Sequence, residues 1–111
     1  MPHIIIEHTD KTTAQMPTIC AEVFTAASKC SSFPDASAIK VRSVLCANHT
    51  GGTGDDFAHA TIKALSGRND AQKAEVTDAV MNVLNAHLTS TSNLTVEFYD
   101  LHTDSYRKRA L

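Results

Sequence analysis

What most confines this chain is one order of elements that occurs twice: extended, helical, extended, and then the same again. Residues 2–7 read as a strand with Ile4 and Ile6 on one face and Ile5 on the other, apolar on both sides like a central, doubly covered strand. The polar stretch 8–15 reads as a loop. Apolar residues then fall at Met16, Ile19, Cys20, Val23, Phe24 and Ala27, the spacing of one helical face, with Pro17 in the first turn, where no N–H is needed. A second strand is expected over about 38–47, carrying the β-branched Ile39, Val41 and Val44. A glycine-rich loop, with Gly51, Gly52 and Gly54, leads to a third strand over about 57–65.

The second unit continues the pattern. Ser66-Gly67-Arg68 turns the chain, and Asn69 with Gln72 three residues on has the form of a helix N-cap. The helix that follows carries Val76, Val80, Val83, Leu84 and His87 on one face. Leu94, Val96 and Phe98 alternate with Thr95, Glu97 and Tyr99 in a fourth strand, and a polar tail runs from His102.

Two βαβ units about 55 residues apart predict an architectural repeat. Right-handed crossovers pair each unit's strands in parallel. The expected fold is α+β: a four-stranded mixed sheet with two helices on one face, in a single domain spanning 1–111. The opposite face is expected to be bare and apolar, and a patch of that size predicts an oligomer.

Charge removes several functions. Ten Lys and Arg against twelve Asp and Glu give a net charge of −2, no general pull toward nucleic acid or anionic membrane. The strands carry no aromatic stacking pair and no basic face of the kind an RNA reader of similar order would need. No apolar run approaches the ~18 residues of a membrane span, and no secretory signal is present, so a cytoplasmic location is expected. Cys20, Cys30 and Cys46 form no CxxC pair and are odd in number, which suits free thiols in a reducing compartment.

Chemistry concentrates in few residues. With Met1 removed, Pro2 carries a secondary amine at the head of an apolar strand, where desolvation lowers an amine's pKa toward the range that proton transfer uses. The structural alternative is a proline that opens an edge strand. Lys40 and Arg42, two apart on the second strand, point the same way and can clamp a carboxylate, or be solvated surface cations. Arg68 lies close to a helix N-terminus that favours anions, or is a solvated turn residue. His3, His8, His49, His59, His87 and His102 form no ligand cluster, so no metal site is expected, and His59 and His87 read as packed, hydrogen-bonded side chains. Gly51-Gly52-Thr53-Gly54 lacks the following helix and the Gly-Lys-Ser/Thr ending of a phosphate loop. Arg107-Lys108-Arg109 is too short for a nucleic-acid tail.

Taken in order, Met1-Pro2-His3 before an apolar strand and Glu7, Phe33-Pro34 before a strand bearing Lys40 and Arg42, and Gly67-Arg68 opening the second helix resemble the tautomerase superfamily, with its MIF-like fold. Within it the chain is most similar to the 5-carboxymethyl-2-hydroxymuconate isomerases, from Pro2 to the fourth strand. The resemblance implies a homotrimer with inward-facing sheets, no metal and no cofactor. It implies a small-molecule dicarboxylate substrate, a 2-hydroxymuconate-type dienol converted to its 2-oxo isomer during aromatic-compound breakdown. Pro2 would be the acid/base, Lys40 or Arg42 would match the strand arginine that binds substrate, and Arg68 the turn arginine. Two departures stand out. Lys40 occupies a position where similar isomerases carry Arg, which makes Arg42 the preferred ligand, and tryptophan is absent. The alternatives are a non-catalytic trimeric binding module, or another proline-dependent reaction of the superfamily, a dehalogenation or decarboxylation.

Overall fold

A computed structural model describes residues 1–111. Four strands, β1 (His3–His8), β2 (Lys40–Leu45), β3 (Phe57–Leu65) and β4 (Asn93–Leu101), and two helices, α1 (Met16–Ser28) and α2 (Asp70–His87), follow the expected order. The sheet order is β2-β1-β3-β4. β1 and β2 are parallel, β3 and β4 are parallel, and the two units meet antiparallel through β1 and β3. The mixed sheet expected from two βαβ units is therefore what forms, and β1 is central. No helix is long and apolar enough to cross a membrane.

The core lies between the helices and one face of the sheet. Ile4 and Ile6 of β1 and Ala58, Ala60, Ile62 and Ala64 of β3 are buried there. The alternation of small alanines along β3 gives the helices room to approach. α1 contributes Met16, Ile19, Val23 and Ala27, and α2 contributes Val76, Val80 and Leu84. The buried stripe of α1 is narrower than its apolar spacing suggested. Cys20 is half-buried and Phe24 is exposed, because only one edge of that face reaches the sheet.

The start of α2 is fixed locally. The Asn69 side chain accepts from the Gln72 N–H at 2.9 Å, and the Gln72 side chain accepts from the Asn69 N–H at 3.0 Å, a reciprocal capping box. Just before it, Gly67 adopts φ 129°, a conformation closed to residues with a side chain. Asn69→Ala is expected to lower the unfolding free energy by about 1 kcal/mol, read from urea denaturation; an unchanged midpoint would show that the cap is idle.

Three expectations need correction. The stretch 8–15 is not simply a loop: His8 ends β1, buried, and Asp10–Gln15 form a 3-10 helix. The His8 Nδ1, Thr12 hydroxyl and Thr9 carbonyl lie 2.8–3.1 Å from one another, and Thr9 Oγ1 donates to Asp56 at 2.7 Å. The second strand is shorter than expected, because the chain folds into a 3-10 turn over Ala36–Ala38 just before it.

The third correction concerns the open face of the sheet, which is bare but not apolar. Cross-strand partners share a face, so the register puts Lys40, Arg42 and Val44 beside His3, Ile5 and Glu7, and these beside Lys63, Thr61 and His59. β4 adds Thr95, Glu97 and Tyr99. Ile5, Val44 and Tyr99 are islands among charged and polar groups, so hydrophobic burial alone does not decide what covers this face.

Candidate active site

Pro2 is buried at the entrance to β1, and the chain around it is held by main-chain bonds. The Pro2 carbonyl accepts from the Lys40 N–H at 3.1 Å, and the Met1 amine donates to the Ala38 carbonyl at 3.0 Å. Burial, followed by the positive charges of Lys40 and Lys108, holds that amine below its usual value, with Asp35 pulling the other way. Asp35 is itself kept acidic by the hydroxyl and N–H of Ser37, at 2.6 and 3.1 Å. Its carboxylate caps the turn that leads into β2.

Of the residues singled out from sequence, Pro2 and Lys40 meet through the main chain at one end of the β1–β2 pair. Arg42 shares the open face with Lys40, further along β2, with Lys40 in register with His3 and Arg42 with Ile5. Lys40 Nζ reaches only the Ala38 carbonyl at 3.3 Å, and Arg42 NH1 lies 2.9 Å from His3 Nδ1. With Met1 attached, the Pro2 nitrogen is an amide without basicity.

Arg68 stands at the same end, past Leu65, but is engaged elsewhere. Its Nε and NH2 donate to the Ser32 carbonyl at 3.3 and 2.9 Å, and NH1 to the Leu65 carbonyl at 3.0 Å. The guanidinium lies 5.4 Å from the centre of the Phe33 ring. It therefore braces the segment after α1 against the turn before α2, and two of its five N–H groups remain. Arg68→Ala is expected to destabilise the fold by about 1–3 kcal/mol, because two carbonyls lose their donors. A denaturation midpoint equal to that of the unaltered protein would contradict the brace.

Sequence reasoning missed His3 and Lys63. Both lie on the open face beside Lys40 and Arg42, Lys63 being the β3 partner of His3. Period-two alternation shows that His59, Thr61 and Lys63 share a face, but only the antiparallel register brings Lys63 to His3. Burial, then Arg42, the terminal amine, Lys40 and Lys63, hold the His3 imidazole below its ordinary value. His59 lies outside the core, half-buried. It bridges Thr95 and Glu97, both at 2.6 Å, on the exposed sheet face. His87 pairs with Glu22, tying α2 to α1.

Other chemistries find little here. No three His, Cys, Asp or Glu side chains gather closely enough to hold a metal ion. The cysteines are unpaired, and burial raises the pKa of Cys20 and Cys30, so neither is an activated thiolate. What the arrangement offers is an amino terminus, half withdrawn from water, beside a group of cations. That suits proton transfer on an anionic substrate.

The model of the 5-carboxymethyl-2-hydroxymuconate isomerase family matches residues 2–109. The chain belongs to this family. It is thereby an isomerase-like tautomerase, with the fold of that superfamily. A 5-carboxymethyl-2-hydroxymuconate isomerase from Deinococcus radiodurans R1 is similar in structure, at TM-score 0.82 and 20% identity over 97% of this chain and 88% of that one. A 5-carboxymethyl-2-hydroxymuconate delta-isomerase reaches the same TM-score of 0.82 at 14% identity, over 99% and 88%. A fused 4-OT that forms a symmetric trimer gives 0.74 at 15% identity, over 90% and 85%. No protein of curated function matches the chain. Identities this low speak for the fold, and the family match across nearly the whole chain speaks for membership.

Proposed function

We propose that this isomerase ketonises a 2-hydroxymuconate-type dienol dicarboxylate, with Pro2 as the acid/base once Met1 is removed. The observation that carries the reading is the placement of Pro2, buried at the head of β1 and bonded to the main chain of Lys40, on a strand pair whose Lys40 and Arg42 have no carboxylate partner. The freed secondary amine would inherit the environment that lowers the pKa of the present terminus, namely burial and the charge of Lys40. A lowered pKa favours the unprotonated form, the form that acts as a base.

In this mechanism the Pro2 nitrogen takes the proton of the dienol hydroxyl. The oxygen's electron pair becomes the new C=O bond, the conjugated double bonds shift, and the prolinium returns the proton to a side-chain carbon. Negative charge develops on the oxygen and stands on the carboxylates throughout. Arg42 meets one carboxylate with its fork and Lys40 meets charge as a compact ammonium. Arg68, with its two remaining N–H groups, is the third substrate ligand at this end of the sheet. No cofactor enters the scheme.

The chain alone forms no pocket around these groups. A homotrimer, the assembly of the fused 4-OT it resembles, would bring a neighbouring copy over the open face and close the site to water. A cytoplasmic role in aromatic-compound breakdown fits the substrate chemistry. The test is ultraviolet absorbance of 2-hydroxymuconate during ketonisation, with protein shown by mass spectrometry to begin at Pro2. Turnover above the buffer rate supports the reading, and a rate equal to buffer across the muconate dienols overturns it.

A further inference from the structure

At the Pro2 end of the open face, four basic side chains crowd together. His3 lies between Lys40 on β2 and Lys63 on β3, and Arg42 turns back to it at 2.9 Å. The ion pairs of the molecule are His59–Glu97, Lys73–Asp100 and His87–Glu22, so Lys40, Arg42 and Lys63 are all without an acidic partner. Lys63 is half-buried besides and makes no side-chain hydrogen bond. Like charges on neighbouring strands oppose folding. A surface that keeps three of them, one out of full contact with water, is balanced when an anion arrives.

The state of His3 follows from its partner. A guanidinium has donors only, so Nδ1 must accept and the ring proton must sit on Nε2. Partial burial, and then the surrounding cations, favour this neutral form. His3 thus presents a fixed N–H, and Lys63 an unengaged ammonium, at one end of the face. Arg68 has three of its N–H groups occupied by main-chain carbonyls and Lys63 has none occupied.

We propose that His3 and Lys63 complete, with Lys40 and Arg42, a carboxylate-binding subsite on the open sheet face. Lys63 supplies charge and His3 Nε2 a hydrogen bond to one carboxylate of a dicarboxylate ligand. The nature of the ligand rests on the proposed function, whereas the subsite is tested by binding alone.

The experiment titrates adipate, a saturated six-carbon dicarboxylate, into the full chain, and follows the ¹H–¹⁵N signals of the His3 ring. Saturable shifts are expected, with a dissociation constant about tenfold weaker for Lys63→Gln. Lys63→Arg should restore most of the affinity, and Lys29→Gln, exposed just past the end of α1, should leave it unchanged. Adipate that fails to move the His3 signals, or that binds Lys63→Gln as tightly as the unaltered protein, overturns the subsite. Neither result depends on turnover, so an active enzyme with an indifferent Lys63 loses only the subsite. An inactive one that binds adipate through Lys63 loses only the reaction.

Discussion

Protein that begins at Pro2 is expected to ketonise 2-hydroxymuconate about 100- to 10,000-fold faster than protein that retains Met1. The difference is chemical before it is structural. Attaching Met1 turns the Pro2 nitrogen into an amide, which removes the base and leaves the fold intact. The retained terminus does carry an amine, drawn below its usual pKa and anchored on the Ala38 carbonyl. It stands one residue away, however, a displacement of about 3.8 Å between consecutive Cα atoms. Proton transfer does not tolerate a shift of that size, since misplacement by ~1 Å already costs about 100-fold. Pro2→Ala, processed to a free terminus, keeps a primary amine at the right place but loses the ring that fixes its direction, so most activity should go with it. Circular dichroism should match in all three proteins. Equal rates with and without Met1 would remove Pro2 as the base, whatever the substrate proved to be.

How far the sequence disclosed this arrangement depended on the distance over which each feature is determined. The start of α2 was readable because Asn69 and Gln72 satisfy each other within one turn. The shared direction of Lys40 and Arg42 was readable because alternation along one strand needs no knowledge of its neighbours. The 3-10 helix Asp10–Gln15 was not, since a threonine hydroxyl anchors the chain just before it to Asp56, 47 residues away. The grip of Arg68 on the Ser32 carbonyl likewise spans 36 residues. The character of the open face was misjudged for a related reason. The face left uncovered by the helices was expected to be apolar, but the neighbours of Ile5 there are Arg42 and Thr61, supplied by the register of three strands. The meeting of His3 with Lys63 was hidden in the same way. Family membership was legible because its signs, Met1-Pro2-His3, Phe33-Pro34 and Gly67-Arg68, are local motifs in a fixed order.

Arg42→Ala is expected to lower kcat/KM by about 10- to 100-fold, the loss of a charge-assisted bond to a carboxylate, and at the same time to raise the pKa of His3. The two effects have one cause. Arg42 donates to His3 Nδ1 at 2.9 Å and, after burial, is the largest of the causes that disfavour the imidazolium. Without it the ring moves back toward its ordinary 6.5, yet stays below, because burial, the largest cause of the shift, persists together with the terminal amine, Lys40 and Lys63. The sign for stability follows. A histidine whose folded pKa is depressed binds its proton more readily in the unfolded chain, so its contribution is complete above about pH 6.5 and is lost as pH falls through that value toward the folded pKa. Removing Arg42 narrows the gap, and the decline in stability on acidification should become shallower. NMR titration of the His3 ring and urea denaturation at pH 5 and pH 7.5 read the two halves separately. A His3 pKa that stays where it was would show that Arg42 does not hold the ring. A lower kcat/KM with that pKa unmoved would make Arg42 a substrate ligand alone.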